Sequence, residues 1–246
     1  KALLFLGSGS VIHGMEHGVL HTGDHVDPQN MLNMGGLSKK MPVTFWTFLI
    51  GGFALSGFPL ITAGFWSKDA ILAGAFNGGY LAVFIVLALS ALLTAFYTMR
   101  QITLTFLGKP RTRAAEHASE NKWTMTLPLV VLAVFAAVIG WIGIEGNFPV
   151  LGGLVPDVMV EFVGSMLGEA EHEAAFNAVP LLTSVAVALG GLLAGWWVYR
   201  RQAAGEPDLL ERPLGWVHRV LKNKYYFDEI YQFLFIRPSR WISDTF

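Results

Sequence analysis

The sequence has 246 residues, a formal net charge of -1 and no cysteine; 53% of its residues are hydrophobic and only 14% are charged. Ordinary soluble domains carry about 25% charged residues, so this composition excludes a typical soluble domain and indicates an integral membrane protein. The near-neutral charge argues against a nucleic-acid partner. The absence of cysteine excludes disulfides, thiolate metal sites and iron–sulfur ligation.

Several stretches are apolar enough to enter a membrane, which a helix spans with about 20 residues. They cover residues 43–76, 80–106, 124–144 and 176–199, and residues 1–15 are interpreted as the end of a further segment that begins upstream. The stretch 43–76 is too long for one simple span and is interrupted at Ser56-Gly57-Phe58-Pro59. The sequence therefore predicts an all-α, polytopic membrane helix bundle of about five helices, one of them discontinuous.

The charges of the loops between these stretches indicate their orientation. Loops 14–41, 107–123 and 200–224 contain lysine or arginine, whereas loop 145–175 contains acidic residues and no lysine or arginine. Because basic loops stay on the inner side of a membrane, these three loops are predicted inside. Loops 77–79 and 145–175 are predicted outside.

The character of the chain changes after residue 205. Residues 206–212 form a polar linker, and residues 228–246 alternate aromatic and charged side chains. That charge content is too high for a membrane span and fits an amphipathic helix at the inner interface. We therefore predict transmembrane helices in residues 1–205, and a linker followed by an inner-side amphipathic helix in residues 206–246.

Lys68 and Asp69 are the only acidic or basic residues between residues 43 and 99. A charge inside a bilayer is costly and marks a functional site by default. Since removal from water disfavours the ammonium form, Lys68 is a candidate for gaining and losing a proton. The alternative is structural: Asp69 would cap the second half-helix, and Lys68 would pair with a carboxylate elsewhere.

The interruption beside Lys68 strengthens the functional interpretation. It contains Gly57, Pro59 and Thr62, and Ser67 directly precedes the lysine. Unwound backbone at membrane depth is tolerated only inside protein or along a wet cavity, and such breaks mark ion sites in transporters. We predict that these four residues support the site of Lys68. A simple proline kink is the alternative.

Histidines recur at every fourth position from residue 13, namely His13, His17, His21 and His25. This spacing can form a metal-binding helix face, but interspersed glycines favour an inner loop over residues 14–30, and we predict no metal site. His13 closes the first apolar segment and is a candidate proton relay. The alternative is an interfacial histidine without a role. No nucleotide, flavin or haem motif is present, so no cofactor is predicted in this chain.

Four motifs resemble the antiporter-like membrane subunits of respiratory complex I, the proton-pumping NADH:quinone oxidoreductase. Residues 1–13 resemble the helix with a central lysine, residues 34–42 its connector, and residues 63–72 the broken helix with the terminal proton-channel lysine. Residues 223–231 resemble the start of the long lateral helix. This last motif points to the subunit L (mitochondrial subunit 5) type.

The resemblance implies the C-terminal part of a subunit that moves protons, driven by redox chemistry elsewhere. Lys1 would be the central carrier, Lys68 with Asp69 the terminal one, and His13 the inner relay. The implied surroundings are the neighbouring antiporter-like subunits and the lipid of a bacterial or organellar inner membrane, without nucleic acid or a soluble substrate. Two alternatives stay open, namely a sodium/proton antiporter subunit of the Mrp type and a structural clamp.

Overall fold

The computed structural model describes residues 1–144, 162, 165, 177–203 and 205–245, and this part of the chain is helical without β-strands. The helices are α1 (Ala2–Thr22), α2 (Pro42–Ser56), α3 (Ala63–Asn77), α4 (Leu81–Phe106), α5 (Arg113–His117), α6 (Trp123–Val138), α7 (Ala178–Tyr199), α8 (Glu211–Leu214), α9 (Trp216–Lys222), α10 (Phe227–Tyr231) and α11 (Arg237–Thr245). They fall into two compact units, Lys1–Gly205 and Glu206–Phe246.

The first unit is a bundle of apolar helices. Three helical stretches of the described chain are long and apolar enough to cross a membrane, namely Leu81–Phe106, Trp123–Ile142 and Ala178–Tyr199, and α2 is a shorter apolar helix. Much of their apolar surface is exposed, as at Leu93 on α4. An all-round apolar helix with an uncovered surface is typical of a lipid-facing bundle, so the predicted fold class is confirmed.

Helices α4 and α7 approach closely because α7 carries small residues at its contact. A Cβ atom at Gly191 would lie 2.5 Å from the carbonyl oxygen of Leu92, and one at Gly195 would lie 2.6 Å from that of Phe96. A small residue at every fourth position allows two membrane helices to bring their backbones together. The C-terminal ends of α4 and α7, which are followed by basic residues, therefore lie close together.

The predicted inner loop over residues 14–30 is wrong for its first part. Helix α1 continues to Thr22 and ends at Gly23, which has φ 70°. Gly14 and Gly18 are buried, and a Cβ atom at Gly18 would collide with the carbonyl group of Ala114 in α5. These glycines are contact residues, and the packing that they allow outweighs their cost in helix propensity of about 1 kcal/mol each.

The connector after α1 is fastened to the end of α4 by Arg111. The Arg111 Nε donates to the carbonyl of Leu32 at 3.0 Å, and its Nη2 donates to the carbonyls of Met31 at 2.9 Å and of Leu104. Burial lowers the pKa of Arg111 from its ordinary value, but a guanidinium stays charged at physiological pH. The charged guanidinium of Arg111 therefore donates hydrogen bonds to three carbonyl groups and holds the inner connector in place.

The second unit ends in a helical stretch. Helix α10, a π-turn over Gln232–Ile236 and helix α11 follow one another without a gap. Lys224 Nζ lies 2.9 Å from Asp228 Oδ2, and this hydrogen-bonded ion pair raises the pKa of Lys224. The predicted helix is thus present, and its placement at the inner interface stays a prediction.

Candidate functional site

The long apolar stretch over residues 43–76 is broken, as predicted. Helix α2 ends at Ser56 because Gly57 adopts a left-handed conformation with φ 76° and ψ 46°. The backbone N–H of Phe58 then donates to the carbonyl of Phe53 at 2.9 Å, which is the usual way for a glycine to close a helix. Helix α3 begins only at Ala63, so a simple proline kink does not describe this segment.

The residues between the two helices are held by their own hydrogen bonds. Thr62 is 2% exposed, and its hydroxyl donates to the carbonyl of Phe58 at 2.9 Å. Leu60 adopts φ 65°, which is uncommon for a residue with a branched side chain. The break is therefore a defined turn, and the hydroxyl of Thr62, a predicted supporting residue, stabilises this turn by its hydrogen bond.

Lys68 lies on the second turn of α3 and is half-buried. Its ammonium Nζ donates to the carbonyl oxygen of Leu55, in the last turn of α2. In a continuous helix that oxygen would accept from the N–H of residue 59, but residue 59 is proline and has no N–H. The Leu55 carbonyl has no helical partner because α2 ends at Ser56, and it accepts from the lysine at the end of α2 where the helix dipole is negative.

The two half-helices meet at glycines. A Cβ atom at Gly57 would lie 3.1 Å from Lys68 Cδ, and one at Gly64 would collide with the carbonyl oxygen of Ala54. Gly57 therefore leaves room for the lysine stem, and Gly64 lets the start of α3 touch the end of α2. The structure thus brings Gly57 and Lys68 together, and Pro59 and Thr62 lie in the turn between the two half-helices.

The other predicted site residues lie apart from this contact or on its margin. Asp69 is half-buried beside Lys68, and Ser67 is exposed with its hydroxyl 3.4 Å from the carbonyl of Gly64. Lys1 is exposed at the start of α1, and His13 Nδ1 lies 3.8 Å from Glu16 Oε2. Among the described residues, no hydrogen bond or ion pair joins Lys1 or His13 to Lys68. Their roles stay predictions.

Histidines and acids do not assemble into a metal site in the described part of the chain, where no group of three suitable ligands lies close together. His21 of α1 instead stacks on His117 of α5, with ring centroids 5.2 Å apart. This contact accompanies the close approach of α1 and α5 at Gly18.

The sequence analysis missed an anchor at the other end of α2. Glu120 accepts from the backbone N–H of Val43 at 2.7 Å and from the hydroxyl of Thr44 at 2.6 Å. The buried hydroxyls of Ser10 and Thr44 lie 2.9 Å apart, which joins α1 to this cap. Pro42 at the first helical position signals that a helix starts here, but no local pattern identifies a cap 77 residues away.

Comparison with known proteins places these features in a family. Residues 1–94 match the family described as NADH:quinone oxidoreductase/Mrp antiporter, TM. Over 99% of its length the chain is 39% identical to the NAD(P)H-quinone oxidoreductase chain 5 of Picosynechococcus and 36% identical to the NADH-quinone oxidoreductase subunit L of Escherichia coli. The chain is thus similar to these antiporter-like membrane subunits over nearly its whole length, and the family match itself covers residues 1–94.

The match of residues 1–94 to a membrane family and the long apolar helices together make the chain an integral membrane protein. The chain covers 38% of the Picosynechococcus protein and 35% of the Escherichia coli protein, so it spans less than two fifths of the relatives that it matches. A third relative, the NADH-quinone oxidoreductase subunit L of Rickettsia felis, is 36% identical over the whole chain. The resemblance expected from the motifs is thus confirmed.

Proposed function

We propose that the chain is part of a proton-translocating membrane subunit of NADH:quinone oxidoreductase, and that Lys68 carries protons in it. The observation that supports this role is the contact of the Lys68 ammonium with the Leu55 carbonyl at the helix break. The names of the relatives, which are oxidoreductase subunits, support the assignment to this enzyme. They do not favour the sodium/proton antiporter alternative, although the family description includes Mrp antiporters.

The contact gives Lys68 a protonation-dependent partner. An ammonium donates a strong, charge-assisted hydrogen bond to the carbonyl, whereas a neutral amine donates only a weak one. Release of H⁺ leaves the lone pair on Nζ and weakens the link between α2 and α3. A hydrogen bond to a charged group is worth about 1.5–3 kcal/mol, and moving one charge against 100 mV takes about 2.3 kcal/mol. A change in this one contact is thus of the size that a pumping step requires.

The remaining members of the proposed route are Asp69, Lys1 and His13. Asp69 would exchange protons beside Lys68, Lys1 would be the central carrier, and His13 would relay protons from the inner side. The redox chemistry would reside in other subunits, and this chain would hold no cofactor. Its partners would be neighbouring antiporter-like membrane subunits and the lipid of a bacterial or organellar inner membrane.

The test compares two variants of Lys68 in membrane vesicles that contain the complete subunit within its complex. NADH-driven proton uptake and NADH oxidation are measured in parallel for Lys68→Ala and Lys68→Arg. Arginine keeps the charge and the donor to the carbonyl but does not lose its proton at physiological pH. We expect both variants to lose proton uptake while NADH oxidation continues.

Lys40, which is exposed in the connector before α2, offers the matched control, and Lys40→Ala is expected to pump as the parent does. Normal pumping by Lys68→Arg would show that a fixed cation suffices, so that the lysine is a structural partner. Proton movement that depends on sodium and not on NADH would instead support the antiporter alternative.

A further inference from the structure

A cavity of about 450 Å³ lies within the first unit, between the C-terminal ends of α4 and α7. Its charged lining residues are all basic, namely Lys109, Arg111, Arg200 and Arg201. Among the described residues, no carboxylate lines it. The guanidinium of Arg111 is held by its hydrogen bonds to backbone carbonyls, so it contributes a positive charge at a fixed position in the cavity wall. The volume is in the usual range for small-ligand sites, and the charge selects an anion.

A buried hydroxyl in the cavity wall lacks a partner. Thr103 of α4 is 3% exposed and lines the cavity, and its Oγ1 has no hydrogen-bond partner in the described structure. The nearby Thr98 shows the usual arrangement, because its hydroxyl donates to the carbonyl of Thr94 at 2.7 Å. A buried hydroxyl without a partner is destabilising, so Thr103 points to an acceptor supplied by a ligand.

The aromatic lining of this cavity is of the kind found at membrane interfaces. The guanidinium of Arg200 lies 4.9 Å from the ring centroid of Trp196, and both residues line the cavity. Tryptophan and tyrosine are typical of the headgroup level of a membrane. Leu193 and Trp197, on the same end of α7, are 63% and 66% exposed, which leaves an apolar surface beside the basic one.

We propose that this cavity binds the phosphate group of an anionic phospholipid. Lys109, Arg200 and Arg201 would supply the positive charge, and Thr103 would donate its hydroxyl to a phosphate oxygen. The acyl chains would lie on the exposed apolar surface of α7, which favours a lipid over free phosphate. The loops concerned are those that the charge pattern predicts on the inner side, where clusters of basic residues bind anionic headgroups.

The first experiment compares two double variants of the complete subunit, purified in detergent. Phosphatidylglycerol binding is titrated by native mass spectrometry, with phosphatidylcholine as the lipid control. Arg200→Gln/Arg201→Gln removes two charges from the cavity, and Lys39→Gln/Lys40→Gln removes two exposed charges elsewhere on the predicted inner side. We expect Arg200→Gln/Arg201→Gln to weaken phosphatidylglycerol binding about thirtyfold, since each basic residue contributes about 1 kcal/mol. We expect the lysine pair to change it less than about twofold. Equal losses in both variants would overturn the proposal, because they would show only a general effect of surface charge.

Thr103→Val provides a second test that does not alter charge. The change replaces a hydroxyl by a methyl group of similar size, so folding is retained, and we expect phosphatidylglycerol to bind about tenfold more weakly because one charge-assisted hydrogen bond is lost. Unchanged lipid binding by Thr103→Val would overturn the role of this residue. In a last step, inorganic phosphate is added to the parent protein. Displacement of the lipid at millimolar phosphate would overturn the proposal of a lipid ligand and would indicate a soluble anion.

Discussion

Pro59 and Pro128 both lie in apolar segments of this chain, and of these two only Pro59 lies at a helix break. Pro59 lies between α2 and α3, whereas Pro128 lies inside α6, which runs on from Trp123 to Val138. Proline removes one backbone donor at both positions. The difference between them comes from what surrounds each proline.

At the break, other residues provide the turn geometry and the hydrogen-bond donor that proline lacks. Gly57 has already ended α2 with its left-handed conformation, and Leu60 also has a positive φ. The carbonyl left over at Leu55 receives the ammonium of Lys68. The comparison indicates that the end of α2 at Gly57 leaves a carbonyl available, that Pro59 has no N–H to compete for it, and that a nearby cation binds it.

The largest expected effect is at Gly64, where the two half-helices touch. Gly64→Val would drive a side chain into the carbonyl group of Ala54, and we expect a loss of about 3 kcal/mol in the free energy of unfolding. Gly74 is the matched control on the same helix, because a Cβ atom there would meet nothing within 4 Å. Denaturant titration of the purified protein in detergent measures both variants. Similar losses for Gly64→Val and Gly74→Val would show that the close contact does not stabilise the break.

A smaller effect is expected at Gly57. Alanine there must adopt φ 76°, which costs about 1–2 kcal/mol, and its methyl group would lie 3.1 Å from Lys68 Cδ. Gly108 has φ 77° with nothing within 4 Å of a Cβ atom, so Gly108→Ala carries the backbone cost alone. We expect similar losses of stability in the two variants but reduced proton uptake only for Gly57→Ala. Equal proton uptake would mean that the glycine serves the turn and not the lysine.

Residue types with strong local effects made the break and Lys68 predictable. Gly57, Pro59 and an isolated charge in an apolar segment each have a local physical effect, and in the structure Gly57 and Pro59 lie in the break while Lys68 contacts its α2 end. Gly18 was misjudged because its helix propensity is poor in isolation, whereas the backbone of α5 makes a small residue necessary there. The cap that Glu120 provides and the acceptor at Leu55 depend on where separate elements meet, which no local pattern encodes.

Replacing each proline by alanine tests the comparison directly, and the expected changes in the free energy of unfolding are about 1 kcal/mol or less. Pro128→Ala restores a donor inside a continuous helix. Proline costs a helix interior about 3 kcal/mol, and since α6 already accommodates the ring of Pro128, we expect a gain of only about 1 kcal/mol in the free energy of unfolding. Pro59→Ala restores a donor outside both helices, where Gly57 and Leu60 still hold the turn, and a smaller change is expected. Unfolding in detergent gives both values. A larger gain for Pro59→Ala would show that proline by itself maintains the break.

The smallest expected effect separates two buried threonines that both donate to a carbonyl four residues earlier. Thr62 donates to Phe58, outside any helix, whereas Thr98 donates to Thr94, inside α4. The Thr94 carbonyl already has the helix N–H as a partner, so Thr98→Val should be nearly neutral. Thr62→Val removes a fastener of the turn, and Thr62 makes no side-chain cap of α3 that would complicate the result. We expect Thr62→Val to cost about 0.5 kcal/mol more than Thr98→Val in unfolding. Equal costs would mean that the turn is held by Gly57 and Lys68 without help from the threonine hydroxyl.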